Sequence, residues 1–477
     1  MAQKGSLRMD ERTLTQSEQD LLKTIKHGID KADELKYERI KTRKELDIRI
    51  EESRVLLRAK SIDVGRTQSV GQGKSNFKPV REPIKVRSFG ELLVEANDKY
   101  PDDISFEDIF TDEEIIANRE YINQLNKEFH TIHKLDKIDI IIPAVAGIFG
   151  GIIDCAFGGF LRGENGEAIP GTLSTWVRDK FDKALPAEKI KELENFAKVT
   201  FDAPTHTDNK GNIIVNEYVD GLTPYFHHVV SLGHDPILGF IFGVMDMLRG
   251  TMTTLDYKGK FIIQTVEGFS DNKALSIFEA IIKEFLHLIS DVNGSSTAKA
   301  KSASGMGLPV PFMALFNTLQ FGSIGEDNLT IPELTKNMFY EGYDFRHFCS
   351  MSIPTMIVEV IVRLSYFAKR LSEGFSFKDA IPVGLNHEKK PKLATMLYIA
   401  HTSFTAINAG KVAITKDPMN INYAEWLMFA KLTIKQLKWV LLTKPTLREK
   451  YVMGIVNNEW EMISEDIDMM WQETLKE

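Results

Sequence analysis

Three of the eleven histidines in this 477-residue chain fall within eight positions, in the run Tyr225-Phe-His227-His228-Val-Val-Ser231-Leu-Gly-His234-Asp235. Imidazoles beside a carboxylate are the donors that zinc, manganese or iron takes up. Such a metal activates a bound water, so the chemistry expected is hydrolysis. Further carboxylates are offered by a pattern that occurs twice: Gly147-x-x-x-Gly151-x-x-Asp154-x-x-x-Gly158 and Gly239-x-x-x-Gly243-x-x-Asp246-x-x-x-Gly250. On a helix the spacing of 4, 3 and 4 puts the three glycines and the aspartate on one stripe, where a second backbone can come close. If the two helices pack on each other, Asp154 and Asp246 meet, and two buried carboxylates that close share a proton or need a cation. The expected metal ligands are therefore drawn from Asp154, His227, His228, His234, Asp235 and Asp246, with His228, His234 and Asp246 as catalytic residues. The cofactor is a divalent Zn, Mn or Fe.

Each of these residues also has a local role to weigh. Asp235 precedes Pro236, the signature of a helix start, and its carboxylate can cap free amides. His234 can simply shape that turn. His227 and His228 are adjacent and point to different sides of a helix or strand, so at most one of them is expected to be a ligand. Asp154 and Asp246 can accept hydrogen bonds from the opposite helix or pair with Arg249, Arg346 or Arg363. A second cluster, Tyr343-Asp344-Phe345-Arg346-His347, offers an anion-binding arginine or equally an ion pair. The chain has no Gly-x-Ser-x-Gly elbow, His-Glu-x-x-His helix, Cys-x-x-Cys pair or Rossmann glycine pattern. Gly71-Gln-Gly-Lys-Ser75 lacks the first glycine of a phosphate-binding loop, since Gln68 stands there.

The elements that must carry these residues read as mostly helical. Thr15 to Lys60 is a charged helical arm in which Leu22, Ile25, Ile29 and Ala32 follow a 3–4 spacing and Leu46, Ile50 and Leu57 continue the same register. Lys36, Arg39 and Arg43 interrupt that seam and make a coiled coil poor. Residues 61–88 form a basic Gly/Ser linker, and 89–477 the helical core domain. Within the core, Thr111 and Glu114 mark a helix start, Asp208 to Asn212 and residues 255–266 mark hairpins, and 293–311 is a small, polar, basic loop. The first Gly–Asp helix, 140–161, is 22 residues with one charge, enough to cross a bilayer core at about 1.5 Å per residue. Its counterpart, 236–250, has an apolar stretch from Ile237 to Leu248 of only about 18 Å. That shortness favours two buried helices in a soluble or peripheral core over re-entrant membrane helices.

Composition bounds the rest. A formal charge of -8 gives no specific nucleic-acid signal, and two cysteines suit a reducing compartment. The N-terminus has no apolar signal region, so the expectation is a cytoplasmic, membrane-associated or peripheral protein that is not secreted. The fold class expected is mainly α, a multi-helix core around two Gly-rich, Asp-containing helices, with short β-hairpins and a long charged N-terminal helix. The function expected is a metal-dependent hydrolase of a phosphorylated or lipid-like substrate. The alternative is a non-enzymatic helical assembly, effector or pore, in which the glycine faces mediate packing. Protein partners or self-association through the N-terminal helix, and a membrane surface, are the expected contacts.

Overall fold

A computed structural model describes residues 14–60, 87–197, 206–207, 213–214, 219–220, 222, 226–266, 273–294, 307–321, 328–383 and 389–474. Most of the expected linker, the Gly71–Ser75 run and the middle of the 293–311 loop lie outside the described residues. The protein is mainly α-helical, with short antiparallel hairpins and a long N-terminal helix. It divides into two compact units, Met1–Glu128 and Phe129–Glu477.

In the first unit, α1 (Gln16–Ala59) starts at a capping box in which Thr15 and Glu18 exchange side-chain-to-backbone bonds. Only its first turns are buried, at Gln19, Leu22, Lys23 and His27, and they pack on α2 (Phe89–Lys99). From Lys31 to Lys60 every residue is exposed. Because α2 packs on α1, residues that the sequence assigned to the core domain fold with the arm instead. Two measurements on the full chain probe this unit. Gly28 has open space around its Cα within a helix, so Gly28→Ala should raise the unit's unfolding free energy by about 0.5–1 kcal/mol in urea titration. Asp30 meets Lys99 at 3.0 Å, Lys26 at 3.2 Å and the Tyr100 hydroxyl. Burial opposes its charge, but hydrogen bonds from Tyr100, Lys99 and Lys26 bring its pKa down from 3.8 to about 2. A depressed carboxylate stabilises the fold above its unfolded pKa and loses that contribution as pH falls through the folded one. The unit's melting temperature should therefore drop between 3.8 and about 2, and Asp30→Asn should flatten that part of the profile.

α3 (Asp112–His133) begins where Thr111 and Glu114 cap it. α4 (Lys137–Phe157) is the first glycine helix; Asp136 caps it, and Gly158 closes it by bonding back to Asp154. The chain then turns into β1 (Phe160–Arg162), paired with β2 (Ala168–Pro170), which is why the helix stops short of Leu161. α5 (Thr172–Ala184) and α6 (Ala187–Ala197) are separated at Pro186. β3 (His206–Thr207) pairs with β4 (Ile213–Ile214). One helical turn, α7 (His227–Val230), and a 3-10 turn, Leu232–His234, lead into α8 (Gly239–Arg249), the second glycine helix. β5 (Thr251–Leu255) and β6 (Phe261–Thr265) form a hairpin, followed by α9 (Ile277–Asp291).

The remaining helices are α10 (Ile331–Tyr340), α11 (Phe345–Ser372), α12 (Phe377–Ala380), α13 (Pro391–Thr415), α14 (Tyr423–Lys438) and α15 (Lys444–Thr474). The sequence expects the acidic tail to pack as a last helix. It is helical, but residues 457–470 are exposed. A main core of Val358, Val362, Leu397, Ala400, Phe404 and Leu432 is shared by α11, α13 and α14, with Ala146 of α4.

The two glycine helices do not use their stripes on each other. The Gly147 face lies against the Ala400 carbonyl and Ser403 of α13, Gly150 against Val358 of α11, and Gly151 against Ile407 of α13. Gly239 and Gly243 of α8 instead face one side chain, Glu284 of α9. The small-residue spacing is read correctly as a close-approach face, but it does not specify the partner.

Candidate metal centre

The site is built by two segments 53 residues apart. α7 and the 3-10 turn supply His227, His228 and His234, and α9 supplies Glu284, His287 and Asp291 on one face, spaced i, i+3 and i+7. His234 Nε2 lies 3.2 Å from His287 Nε2. Asp291 Oδ2 lies 3.4 Å from His287 Nε2, 3.7 Å from His228 Nε2 and 3.8 Å from His234 Nε2. That oxygen makes no hydrogen bond among the described residues, although it is buried. Donors around a metal at about 2.0–2.1 Å in a tetrahedron stand about 3.3 Å apart; the His234–His287 and His287–Asp291 spacings come close to that, and His234, His287 and Asp291 form one group with all donor atoms within 4.8 Å, His227, His228 and His234 another. His228 bonds through Nδ1 to the Gly307 carbonyl at 3.0 Å. The carbonyl requires the proton on Nδ1, which leaves the Nε2 lone pair facing Asp291.

Burial disfavours every charged form here. It pushes the Asp291 carboxyl up to about 7 and His287 down to about 4, and it lowers His228 and His234 well below the usual histidine range. His227 is half-buried, its ring 4.0 Å from His228 and 4.9 Å from His234 between centroids. The rule that adjacent residues diverge fails in this single irregular turn, and both histidines come within reach of His234.

Glu284, one turn before His287, is fully buried, and neither of its oxygens has a hydrogen-bond partner among the described residues. A Cβ on Gly243 would stand 2.3 Å from its carboxyl, and one on Gly239 2.9 Å from Oε1. The glycine stripe of α8 is thus the floor on which a carboxyl group rests. Burial, followed by the charges of Asp291 and Asp246, drives Glu284 well above the usual carboxylate range.

The three expected aspartates are occupied elsewhere. Asp154 accepts from Asn408 at 2.9 Å and Asn422 at 2.7 Å, with Lys411 at 3.6 Å, inside the bundle of α4, α13 and α14. Asp246 accepts from the Thr251 and Thr253 hydroxyls, each at 2.7 Å, and from the Thr253 amide at 2.8 Å, tying α8 to β5. Asp235 caps the turn before α8 through the Ile237 and Leu238 amides, both at 2.9 Å, and also holds the Phe312 amide. The shared Asp154–Asp246 site is therefore corrected to two separate structural anchors.

The second sequence cluster is also structural. Asp344 caps α11 at His347 and is gripped by Arg178 and Arg346. The sequence places Glu284 and His287 on an amphipathic helix but does not bring them, or Asp291, to the site; their signal is the polar stripe on an otherwise apolar α9.

No protein-family model, curated protein or solved structure matches the chain.

Proposed function

We propose that this protein is a metal-dependent hydrolase of a phosphorylated or lipid-like substrate, with the metal held by His228, His234, His287 and Asp291. The observation that carries the reading is the convergence of three Nε2 atoms on one buried carboxylate oxygen that has no hydrogen-bond partner among the described residues. A divalent ion bound there supplies a Lewis acid and lowers the pKa of a bound water. The chain's own residues do the rest. Gly307 fixes the His228 tautomer, and the helical spacing of α9 aligns His287 with Asp291. Glu284 is the group available to take or give a proton. Phe240, Phe278 and Phe285, exposed on the outer side of α8 and α9, suit an apolar substrate.

The second reading is a non-enzymatic assembly in which the metal only ties α7 to α9, with self-association through α1. It is favoured by the donor set, because four protein ligands are what a structural zinc uses. Purified full-length protein assayed for metal and for turnover of p-nitrophenyl phosphate, bis-p-nitrophenyl phosphate and phospholipid separates the two. The enzyme reading expects one metal equivalent and chelator-sensitive turnover, restored by zinc or manganese. Metal without turnover supports the assembly, and absence of stoichiometric metal overturns both.

A further inference from the structure

The bundle of α4, α11, α13 and α14 buries a polar cluster beside its apolar core and turns an apolar face outward. Its interior holds Asp154 with Asn408 and Asn422, and Glu425 with His401 at 2.9 Å and Thr355 at 3.0 Å. Its outer surface on α4 is Ile138, Ile141, Val145, Ile148, Phe149 and Ile152, all between 42% and 57% exposed. No charged or hydrogen-bonding side chain interrupts that exposed face from Ile138 to Ile152. α11 continues it with Met356, Val360 and Leu364. The helical run Asp112–Phe157, which ends in α4, and α11 are each long and apolar enough to cross a membrane, and 33% of the apolar window of each is buried.

Buried contacts at the two ends fix the direction of α11 against α4. At one end, Asp139 meets Lys369 at 2.7 Å and Arg370 at 3.0 Å. At the other, Phe160 lies against His347, with centroids 4.5 Å apart. α4 and α11 are therefore antiparallel, and the two ends stand roughly 30–35 Å apart at 1.5 Å per residue, against a hydrocarbon core of about 30 Å. Between these ends, α11 carries one charged pair, Glu359 and Arg363 at 2.9 Å, which neutralise each other, and Arg363 also bonds the Pro382 carbonyl.

We infer that the second unit is embedded in a lipid bilayer, with α4 and α11 crossing it and their exposed isoleucine, valine and phenylalanine faces against acyl chains. A specific protein partner or a second copy would be met by a patch with a polar rim. Here the apolar surface runs the length of two helices without a rim and recurs on α8 and α9, at Ile241, Ile277 and Ile281. Beside the apolar core of Val358, Leu397 and Phe404, the bundle has contacts of the kind that hold helices together in a membrane: glycine against a backbone carbonyl, and buried asparagine against aspartate.

Membranes from cells expressing the full chain test this. The protein should stay in the pellet through alkaline carbonate and high salt and be released by detergent. When detergent is removed in the presence of protein-free phosphatidylcholine vesicles, it should float with them. A spin label at Ile148→Cys, in a Cys155→Ser, Cys349→Ser background, should then collide with oxygen and not with a water-soluble nickel chelate. Recovery of the wild type as a monodisperse, detergent-free monomer overturns the inference. So does a soluble oligomer, which would assign the face to a second copy, or extraction by carbonate, which would assign it to a partner or a peripheral contact.

Discussion

His287→Ala should leave the purified protein with less than about a tenth of the wild-type metal content, and metal affinity should fall by more than about 100-fold. Loss of a supporting residue beyond the ligands already costs roughly 10–100-fold, and His287 faces both His234 and Asp291 at 3.2 and 3.4 Å. Asp291→Asn should have a comparable effect, since it removes the only carboxylate among the four donors. Glu284→Gln is the informative companion. It keeps the shape and the glycine floor of α8, so metal content should be unchanged while turnover falls by about 10²–10⁴, the usual scale of proton transfer by a positioned side chain. Metal content by plasma mass spectrometry and chelator-competition titration check the first pair, and steady-state kinetics on the metal-loaded protein check the third. Full metal in His287→Ala would remove the site from α9. Unchanged kcat in metal-loaded Glu284→Gln would reduce Glu284 to packing.

These residues show which parts of the site the sequence made legible. The histidine run was visible because three donors sit close together along the chain. The α9 half was not, because Glu284, His287 and Asp291 look like the polar stripe of any amphipathic helix until the fold turns that stripe inward. The aspartates misled for a related reason. Asp154 and Asp246 share a sequence pattern, yet one is satisfied by asparagines of α13 and the start of α14, the other by threonines of β5. A pattern of glycines specifies closeness of approach, and what approaches is decided by elements far away in the chain. Helix content, the β3–β4 and β5–β6 hairpins and the caps at Thr111 and Asp235 were legible because their determinants are local. The lengths of the two glycine helices bear on a membrane only if the helices have equivalent surroundings, and Gly147 faces the backbone of α13 where Gly243 faces Glu284. The exposed outer face of α4 is a property of packing, and hydropathy along the chain cannot separate a helix buried in protein from one facing lipid.

The largest stability effect should come from the glycine stripe of α4, and the neighbours of each glycine rank the substitutions. A Cβ on Gly147 would lie 2.0 Å from the Ala400 carbonyl oxygen and 2.9 Å from the Ser403 Cβ. Those are a backbone atom of α13 and the root of a side chain, so relief requires the two helices to move apart. Overpacking typically costs about 1–3 kcal/mol and more when no side chain can turn away, so Gly147→Ala should destabilise the second unit by about 3 kcal/mol or beyond. Gly150→Ala meets Val358 Cγ2 at 2.2 Å, a methyl on a buried β-branched residue that also lacks room to rotate, and should rank just behind. Gly410 on α13 has nothing within 4 Å, so Gly410→Ala should be neutral or mildly stabilising and serves as the control. The order Gly147, Gly150, Gly410, read as loss of thermal stability in detergent or vesicles, follows from which atoms can yield. An equal response at all three positions would mean that α4 does not rest its glycine face on α13 and α11. The metal centre provides a second readout. The proposed ligands lie on α7, the 3-10 turn after it and α9, so Gly147→Ala protein that still folds should keep the metal content of the wild type.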